Sequence, residues 1–417
     1  MGRVHVVGAG LAGLACAVRL VGAGRAVTLY EAAGQAGGRC RSYFDDVIGH
    51  TIDNGNHLML SANAATLSYL DEIGAGDSLT GPPGAEFPFV DLRSGTRWTL
   101  RPNRGPLPWW IFAPSRRVPD TGPWDYVASL GVVLAGREDT VADRIRADGA
   151  MFERFWEPLA VAVLNAAPAE GSARLLRAML LQTFARGAAY CRPLVARDGL
   201  SASFVQPALD RLAAAGADIR FNHRLRALEI GPDGVDALAF GRMRAALEAG
   251  DRVVLAVPPA AAGGLVPELT VPLASRAIVN GHIRLPRPAA ADIANPLLGL
   301  IGGTADWLFL RGEIASLTVS AADALADVPT PEIARRFWAD TAAALGLDVT
   351  HRPPIRVIKE RRATFAQTPA EVRRRPPART AWPNLMLAGD WIDTGFPATI
   401  EGAIRSGNDA ARLAMAA

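Results

Sequence analysis

A glycine turn near the start of the chain has the spacing of a phosphate-binding loop. Gly8, Gly10 and Gly13 stand in the order G-x-G-x-x-G, between an apolar run and a segment with leucine and valine at helical spacing. Glycines at this spacing allow a tight turn, a close approach of the backbone to a pyrophosphate and close packing of helix on strand. The N-terminus of the following helix, at Leu11 and Ala12, would face the phosphates. The turn predicts a dinucleotide site, with a tight helix-strand turn that binds nothing as the alternative.

Two further features extend this predicted site. Glu31 ends the second predicted strand, where a carboxylate can accept hydrogen bonds from both ribose hydroxyls of an adenosine. Gly37, Gly38 and Arg39 then offer a second close backbone approach and a guanidinium that can donate two hydrogen bonds to a phosphate. Nicotinamide-dependent dehydrogenases do not need this second loop. The alternative is a glycine loop with a surface arginine.

Together these motifs resemble those of a known superfamily. A G-x-G-x-x-G turn, an acidic strand end and a Gly-Gly-Arg loop are similar to the amine oxidase and phytoene desaturase superfamily of FAD enzymes. The late "LAGD" at 387–390 matches the Gly-Asp motif of the same superfamily. The resemblance implies FAD as the cofactor. It also implies an α/β fold, in which a Rossmann-like FAD-binding domain of the GR2 or amine oxidase type carries an inserted α+β substrate domain.

The resemblance assigns the far end of the chain to the flavin. In the superfamily a carboxylate at the position of Asp390, which follows Gly389, accepts a ribitol hydroxyl, and the next helix points its N-terminus at the flavin ring. We expect Pro397 in the first turn of that helix and the amides of Thr399 and Ile400 directed at the ring. The positive helix end would stabilise the anionic reduced flavin.

A D-x-G segment after the Gly-Gly-Arg loop is expected beneath the isoalloxazine ring. It contributes Gly55, Asn56 and His57, and at Asn56 the resemblance leads us to expect glutamine instead. His57 could deliver a proton near neutral pH, or it could bond a backbone carbonyl and only shape its loop. Leu225, which follows a later predicted strand, completes the predicted cofactor contacts.

Two carboxyl groups near the predicted ring are candidates for a general acid besides His57. Asp393 lies in the loop between the ribitol carboxylate and the flavin helix, and Glu401 lies in the first turn of that helix. The helix dipole alone favours an acid in a first turn, so Glu401 also has an ordinary structural interpretation. Either group could act if an apolar pocket raised its pKa.

Four longer segments narrow the resemblance to one family. The segments "FERFWEPLAVAVLNAAPAEGSA" at 152–173, "DWLFLRG" at 306–312, "ERRATFAQTP" at 360–369 and "LAGDWIDTGFPATIEGAIRSGNDAA" at 387–411 are together similar to the hydroxysqualene dehydroxylase family. This resemblance implies reductive removal of an allylic hydroxyl from a hydroxysqualene-like isoprenoid, in squalene and hopanoid biosynthesis. An acid protonates the alcohol, water leaves and the reduced flavin supplies a hydride. A separate electron donor must reduce the flavin.

A substrate of this kind needs an apolar tunnel with few polar groups. Phe152, Phe155 and Trp156 are our candidates for the tunnel wall, although a stripe of aromatic residues is also typical of plain core. Asn165 could orient the substrate hydroxyl or cap the end of a helix.

A proline-rich segment, residues 101–119, is suited to a membrane surface. Its centre, "LPWWIFAP", is flanked by Arg101, Arg104, Arg116 and Arg117, so tryptophans could lie at the headgroup level and arginines on anionic lipid. The alternative is a loop buried under the helical part of the chain. We therefore expect a membrane surface as a partner, and a cytoplasmic enzyme peripherally associated with the inner face of the membrane.

The composition argues against several other classes of protein. The net charge is +3 and Lys359 is the only lysine, with no basic run that could follow a nucleic-acid backbone. Cys16, Cys40 and Cys191 are too few and too far apart for a disulfide framework or a zinc site, so we expect no metal. We expect no secretory signal, because the chain starts on a predicted strand, and no apolar run reaches the roughly 20 residues of a membrane span.

At 417 residues the chain is long enough for two domains. The strand-helix-strand character of the first segment returns after the helical middle of the chain and again at the end. We therefore predict an FAD-binding domain assembled from residues 1–78, 196–265 and 355–417, and a substrate domain assembled from residues 79–195 and 266–354.

Two other functions are compatible with the same motifs. An isoprenoid or carotenoid desaturase or isomerase would use oxidised FAD, and the flavin motifs do not distinguish the direction of hydride transfer. A non-catalytic isoprenoid carrier of the GDP dissociation inhibitor type would bind no flavin. Glu31, Arg39 and Asp390 argue against the carrier, because a protein without flavin has no use for all three.

Overall fold

A computed structural model describes residues 2–286 and 295–416, so residues 287–294 of the predicted substrate domain lie outside the described part. The strands are β1 (Val4–Val7), β2 (Val27–Tyr30), β3 (Ser42–Asp45), β4 (His50–Asp53), β5 (Met59–Leu60), β6 (Leu79–Thr80), β7 (Phe87–Asp91), β8 (Arg97–Leu100), β9 (Pro193–Ala196), β10 (Asp218–Arg220), β11 (Ala227–Gly231), β12 (Gly234–Phe240), β13 (Met243–Ala246), β14 (Arg252–Leu255), β15 (Ser275–Arg284), β16 (Leu297–Ile301), β17 (Trp307–Arg311), β18 (Ile314–Val319), β19 (Ile355–Phe365) and β20 (Leu385–Leu387).

The α-helices are α1 (Leu11–Gly22), α2 (Ala64–Glu72), α3 (Pro123–Ala128), α4 (Gly149–Met151), α5 (Glu157–Leu164), α6 (Ala173–Gln182), α7 (Gln206–Ala214), α8 (Pro259–Leu265), α9 (Asp323–Asp327), α10 (Thr330–Leu345), α11 (Pro369–Arg373) and α12 (Ile400–Ala416).

A parallel sheet with the order β10-β2-β1-β14-β20 carries the predicted nucleotide site. Its central strands are buried along their length, because helices α1, α7 and α12 cover one face and the antiparallel strands β11, β12 and β13 cover the other. Helices α1 and α12 pack closely, and a Cβ at Gly407 would overlap the carbonyl oxygen of Ala12. The strands come from widely separated parts of the chain, so the sheet forms only when distant segments meet.

A second sheet has the order β19-β15-β18-β17-β16-β7-β8 and is antiparallel except for the parallel pair of β7 and β16. Helix α10 covers one face, where the ring of Phe337 lies against Gly281 of β15. Strand β19 pairs with β15 along its length. Residues 355–365, which we predicted for the FAD-binding domain, are thus paired with a strand of the predicted substrate domain. The domain boundaries stay predictions.

Two wide π turns interrupt the helical parts of the chain. Phe152–Trp156 precedes α5, and Ser201–Val205 precedes α7. Both are followed by a helix with proline in its first turn, Pro158 and Pro207. Because proline has no amide hydrogen, the regular hydrogen-bond ladder is interrupted there, and π turns of this kind are frequent at functional sites. The two sheets with their surrounding helices confirm the predicted α/β fold.

Candidate active site

The glycine turn leaves open space where a phosphate would lie. Gly8 has a φ of +108°, and a Cβ at this position would overlap the carbonyl oxygen of Ala256. A Cβ at Gly13 would overlap the carbonyl oxygen of Gly8, so this glycine sets the close packing of helix on strand. A Cβ at Gly10, by contrast, would meet nothing within 4 Å. Gly8 and Gly13 thus shape the turn, and Gly10 keeps its outer surface free.

Glu31 joins the glycine turn to the loop that follows β2. Its carboxylate accepts hydrogen bonds from the amides of Ala9 and Ala33, each at 2.8 Å. The amide of His223 donates to the carbonyl of Glu31 at 2.8 Å, which brings the segment of the buried Leu225 beside it. An ionised carboxylate has about four lone-pair sites, so Glu31 can still accept hydrogen bonds from the hydroxyls of a ribose.

Arg39 and Asp390 bring the two predicted ends of the cofactor site together. Nη2 of Arg39 donates to Oδ1 of Asp390 at 2.7 Å, and its Nη1 donates to the carbonyl of Ala363. The charge of Asp390 raises the pKa of Arg39. Gly389 adopts a φ of +148°, and its amide donates to Oγ of Ser406 at 2.8 Å, which ties the Gly-Asp turn to α12.

A buried arginine that the motifs did not reveal holds the loop after Asp390. Arg375 donates to the carbonyls of four loop residues, among them Phe396 at 2.8 Å and Asp390 at 3.3 Å. Burial lowers the pKa of Arg375 to about 10, so the side chain stays charged at neutral pH. Arg375 is one of three consecutive arginines, and no pattern in the sequence shows which of them is buried. The four acceptors are the carbonyls of Asp390, Trp391, Ile392 and Phe396.

The N-terminus of α12 is open at the amides predicted to face the ring. Thr399 caps the helix, since its Oγ1 accepts from the amide of Gly402 at 3.1 Å. Within the described part of the chain, no hydrogen bond uses the amides of Thr399 or Ile400. Pro397 lies before the cap and not in the first turn, so the prediction of its position was wrong. Its neighbour Ala398 donates to Gln367 Oε1 at 2.8 Å, which fixes the approach to the helix.

The D-x-G segment rests on the second sheet. Nδ2 of Asn56 donates to Oγ1 of Thr318 at 2.9 Å, and Thr318 donates to Asn280 at 2.8 Å, next to Gly55. Burial lowers the pKa of His57 to about 4, and the ring makes no hydrogen bond to the described residues. At neutral pH His57 is therefore uncharged. A neutral imidazole is a poor proton donor to an alcohol, which argues against His57 as the general acid.

The contacts of Glu401 contradict the prediction that it is a general acid. Its carboxylate accepts from the amide and hydroxyl of Thr66, at 2.9 and 2.7 Å, from the amide of Ala65 at 3.2 Å and from Arg405 at 2.7 Å. Only 2 % of Glu401 is exposed. The carboxylate therefore caps the N-terminus of α2. Asp393 is exposed and accepts from the amide of Gly395 at 3.1 Å, so its loop provides no apolar pocket.

The predicted tunnel residues lie in an aromatic core. Phe155 and Trp156 are buried with their rings 5.0 Å apart, and Phe152 is half-buried beside them. The indole N–H of Trp156 makes no hydrogen bond to the described residues. Asn165 ends α5 with a φ of 49°, and its side chain bonds Thr364 at 3.0 Å and the amide of Ala321 at 2.6 Å. Asn165 therefore caps the helix, which was one of its two predicted roles. Its side chain is not free for the other role, orienting a substrate hydroxyl.

Comparison with known proteins shows where this chain belongs. The family model of flavin containing amine oxidoreductases matches residues 11–415. The chain is 46 % identical to hydroxysqualene dehydroxylase of Sinorhizobium fredii, over 99 % of this chain and 98 % of that protein. It is 47 % identical to hydroxysqualene dehydroxylase of Rhodopseudomonas palustris over the same shares of the two chains. The chain belongs to the hydroxysqualene dehydroxylase family, within the flavin containing amine oxidoreductases.

A solved structure supports the fold independently. Putrescine oxidase bound to putrescine superposes with a TM-score of 0.71, covering 100 % of this chain and 99 % of that one at 18 % identity. This likeness concerns the fold alone. With the family it confirms the predicted fold class, the FAD cofactor and the prediction of an FAD-dependent oxidoreductase.

The arrangement of groups in this hydroxysqualene dehydroxylase family member fits FAD. The surface over Gly10 is open, Glu31 keeps free acceptor positions, and Arg39 meets Asp390 at the far end of the site. The free amides at the start of α12 add donors for a flavin carbonyl. These residues suit a long, two-ended ligand, because they lie on two separate stretches of the chain that the parallel sheet brings side by side.

Proposed function

We propose that this chain reductively removes the allylic hydroxyl of hydroxysqualene to give squalene. The observation that carries this proposal is the end-to-end similarity to relatives named hydroxysqualene dehydroxylase. The open surface over Gly10 and the ion pair of Arg39 and Asp390 support it. An isoprenoid alcohol is accordingly the proposed substrate.

The proposed cofactor contacts divide between the two ends of FAD. The glycine turn and Glu31 would hold the pyrophosphate and the adenosine ribose, and Arg39 would add a cation beside the phosphates. Asp390 would accept a ribitol hydroxyl, and the first turn of α12 would direct its amides and its positive end at the ring. When bound and reduced, FAD supplies a hydride to an electron-deficient carbon. Arg375 keeps the loop from Asp390 to α12 in place.

A continuous run of aromatic rings supports an apolar path for the substrate. Trp110 meets Tyr126 edge-on at 5.0 Å between ring centroids, and Tyr126 lies 6.3 Å from Phe155. Phe155 in turn contacts Phe184 at 6.0 Å and Trp156 at 5.0 Å. These rings connect the outer proline-rich segment to the π turn. Such surfaces bind methyl and methylene groups and exclude water, which suits a long hydrocarbon with a single hydroxyl.

We also propose that residues 107–134 lie on an anionic membrane. The proline-rich segment is buried in one part and exposed in another, since Trp110 is buried and Trp109 is 64 % exposed. The exposed apolar surface continues over α3, where Trp124 is 80 % exposed. Among the described residues no helix is both long and apolar enough to cross a bilayer. The exposed apolar side chains are Leu107, Trp109, Phe112, Trp124, Val127, Leu130, Val133 and Leu134.

Two properties of this surface favour lipid as its occupant. Tryptophan and phenylalanine on an exposed, proline-rich segment are typical of side chains that enter the headgroup region. Arg104 is exposed beside them and can contact anionic lipid. The proposed substrate is itself a membrane hydrocarbon, and the aromatic run starts directly beneath this surface at Trp110.

The proposed function is tested with reduced enzyme. Purified holoenzyme is reduced with dithionite, freed of excess reductant and mixed anaerobically with hydroxysqualene, and squalene and flavin absorbance are followed together. We expect one squalene formed for each flavin reoxidised. Failure to form squalene, with the flavin remaining reduced, would overturn the proposal.

The two alternatives predict different results. A desaturase or isomerase would act on an isoprenoid hydrocarbon with oxidised flavin, and a carrier would purify without the visible absorbance of flavin. The coupled formation of squalene and reoxidation of flavin is expected from neither of them.

A further inference from the structure

A short segment at the end of β19 contacts the predicted cofactor groups. It comprises residues 363–367, which we call the connecting segment. The carbonyl of Ala363 accepts a hydrogen bond from Arg39. The guanidinium of Arg375 lies over the ring of Phe365, 5.3 Å from the ring centroid. Both arginines also bond the predicted ribitol acceptor, so the connecting segment packs directly against the groups that hold that end of the site.

The connecting segment also contacts the end of α5. Nδ2 of Asn165, which caps this helix, donates to Oγ1 of Thr364 at 3.0 Å. The carbonyl of Gln367 accepts from the amide of Ser172 at 2.8 Å, just before α6. Helix α5 directly continues the π turn that carries the aromatic tunnel candidates. One segment of five residues therefore touches both predicted halves of the active site.

The side chain of Gln367 joins these two halves directly. Its Nε2 donates to the carbonyl of Leu164 at 2.8 Å, and its Oε1 accepts from the amide of Ala398 at 2.8 Å. Leu164 is the last residue of α5, and Ala398 lies just before α12. Gln367 is 0 % exposed. A main-chain carbonyl can only accept and a main-chain amide can only donate, so the two partners also fix the orientation of the glutamine amide.

Both bonds serve main-chain groups that the two helices cannot satisfy themselves. The last carbonyls of a helix and the amides at its start have no partner within the helix. Because Gln367 takes the amide of Ala398, the amides of Thr399 and Ile400 are the ones left open within the described part of the chain. A shift of α5 relative to α12 would break one of the two bonds and leave a buried polar group unpaired, which is unfavourable.

We infer that Gln367 is a positioning residue, which holds the open amides at the start of α12 in a fixed relation to the end of α5. This inference rests on the proposed function, in which those amides face the flavin and the π turn before α5 lines the substrate path. Gln367 acts through Ala398 and Leu164 and contacts neither ligand itself. Reacting atoms must lie about 3–3.5 Å apart, and a misplacement of about 1 Å can cost about 100-fold in rate.

The test compares Gln367→Met and Gln367→Asn with wild-type holoenzyme. Methionine matches the length of glutamine but cannot donate to the carbonyl of Leu164, and asparagine keeps the amide but is one methylene too short to reach both partners. The matched control is Thr341→Val, since Thr341 is also 0 % exposed and loses one hydrogen bond, to the carbonyl of Phe337 within α10. Circular dichroism, thermal unfolding and flavin content are measured for every protein.

The flavin reduction potential is the measurement that a merely structural role would not change. The positive end of α12 favours the anionic reduced flavin only while it is aimed at the ring. We expect both Gln367 variants to lose about tenfold in their preference for reduced over oxidised flavin, which is a potential about 30 mV more negative for a two-electron couple. Thr341→Val should unfold at a lower temperature and keep the wild-type potential.

Single turnovers test the link to the substrate side. Pre-reduced enzyme is mixed with hydroxysqualene over a range of concentrations, which gives the maximal rate and the half-saturating concentration separately. We expect a maximal rate about 10-fold to 100-fold lower in both Gln367 variants, with little change in the half-saturating concentration, because the substrate still binds but lies out of place. Thr341→Val should keep both values.

The outcomes separate this inference from the proposed function. If wild type forms no squalene, the proposed function fails, and the potential alone then decides about Gln367. Folded Gln367 variants with the wild-type potential would overturn the inference, whatever their rates. If neither variant folds, the inference is also overturned, because the bonds of Gln367 would then be needed for folding as a whole.

Discussion

Nη2 of Arg39 lies 2.7 Å from Oδ1 of Asp390, across 351 positions of the chain. This ion pair joins the loop after β2 to the turn after β20, and each of the two strands lies in the same parallel sheet. The sheet thereby brings a group predicted for the phosphates next to a group predicted for the ribitol. This geometry would suit a cofactor that spans the sheet edge, because both of its ends could be held from one side of the sheet.

Replacing Asp390 should remove the flavin. Asp390→Ala loses the proposed ribitol acceptor and leaves Arg39 without its partner, so we expect purified protein with less than a tenth of the wild-type flavin. Flavin absorbance relative to protein absorbance gives the measurement. Asp393→Asn, whose exposed side chain lies three residues further along the loop, is the control and should keep its flavin. Full flavin content in Asp390→Ala would contradict the assignment.

Replacing Arg375 should loosen the loop between Asp390 and α12. Arg375→Met keeps much of the side-chain volume but leaves four carbonyls without their donor, and we expect a loss of about 3 kcal/mol in the free energy of unfolding. Urea unfolding of the apoprotein measures the loss, and flavin affinity should fall as well. Arg373→Met is the matched control, because this nearby arginine is exposed and, among the described residues, forms an ion pair with Glu138 alone. Equal stability of the two variants would argue against the role of Arg375.

The exposed apolar surface should determine binding to lipid. Trp109→Ser and Trp124→Ser together remove two large exposed side chains, and we expect at least a tenfold loss of sedimentation with vesicles that contain anionic lipid. Leu273→Ser is the control, because Leu273 is also exposed but lies outside residues 107–134. If the loss of vesicle binding is the same in Leu273→Ser and in the double variant, residues 107–134 have no special affinity for lipid.

A buried histidine in β15 should make stability depend on pH. Burial lowers the pKa of His282 to about 4, against the opposing influence of Asp53, and its Nδ1 is bonded to Ser316 at 2.8 Å. Between pH 6.5 and 4 the unfolded chain binds a proton that the folded chain does not, so stability falls as the pH falls through this window. We expect His282 to contribute up to about 3 kcal/mol to that fall.

The variant His282→Gln isolates this contribution. The difference in unfolding free energy between wild type and variant should change between pH 6.5 and 4 and stay constant above about pH 7.5. A difference that is the same at every pH would mean that His282 does not titrate in this way. Subtracting the two proteins cancels the contribution of groups that titrate alike in both.

Local motifs predicted the residues of the site whose positions depend only on the conformation of a short stretch of backbone. Gly8 and Gly13 are required by a tight turn, and Glu31 and Asp390 stand at strand ends, so their positions follow from short stretches of chain. The helix after Asp390 was predicted as well, although Pro397 was expected in its first turn and the helix begins at Ile400.

Contacts between distant segments decided the roles that the motifs left open. Glu401 caps α2, and Asn165 is held by Thr364 and Ala321, so both were unavailable for the chemistry predicted for them. Arg375 was missed because an arginine carries no local sign that it will be buried. Burial and hydrogen-bond partners set the protonation state and availability of a polar group, and in this protein those partners come from elements far apart in the chain.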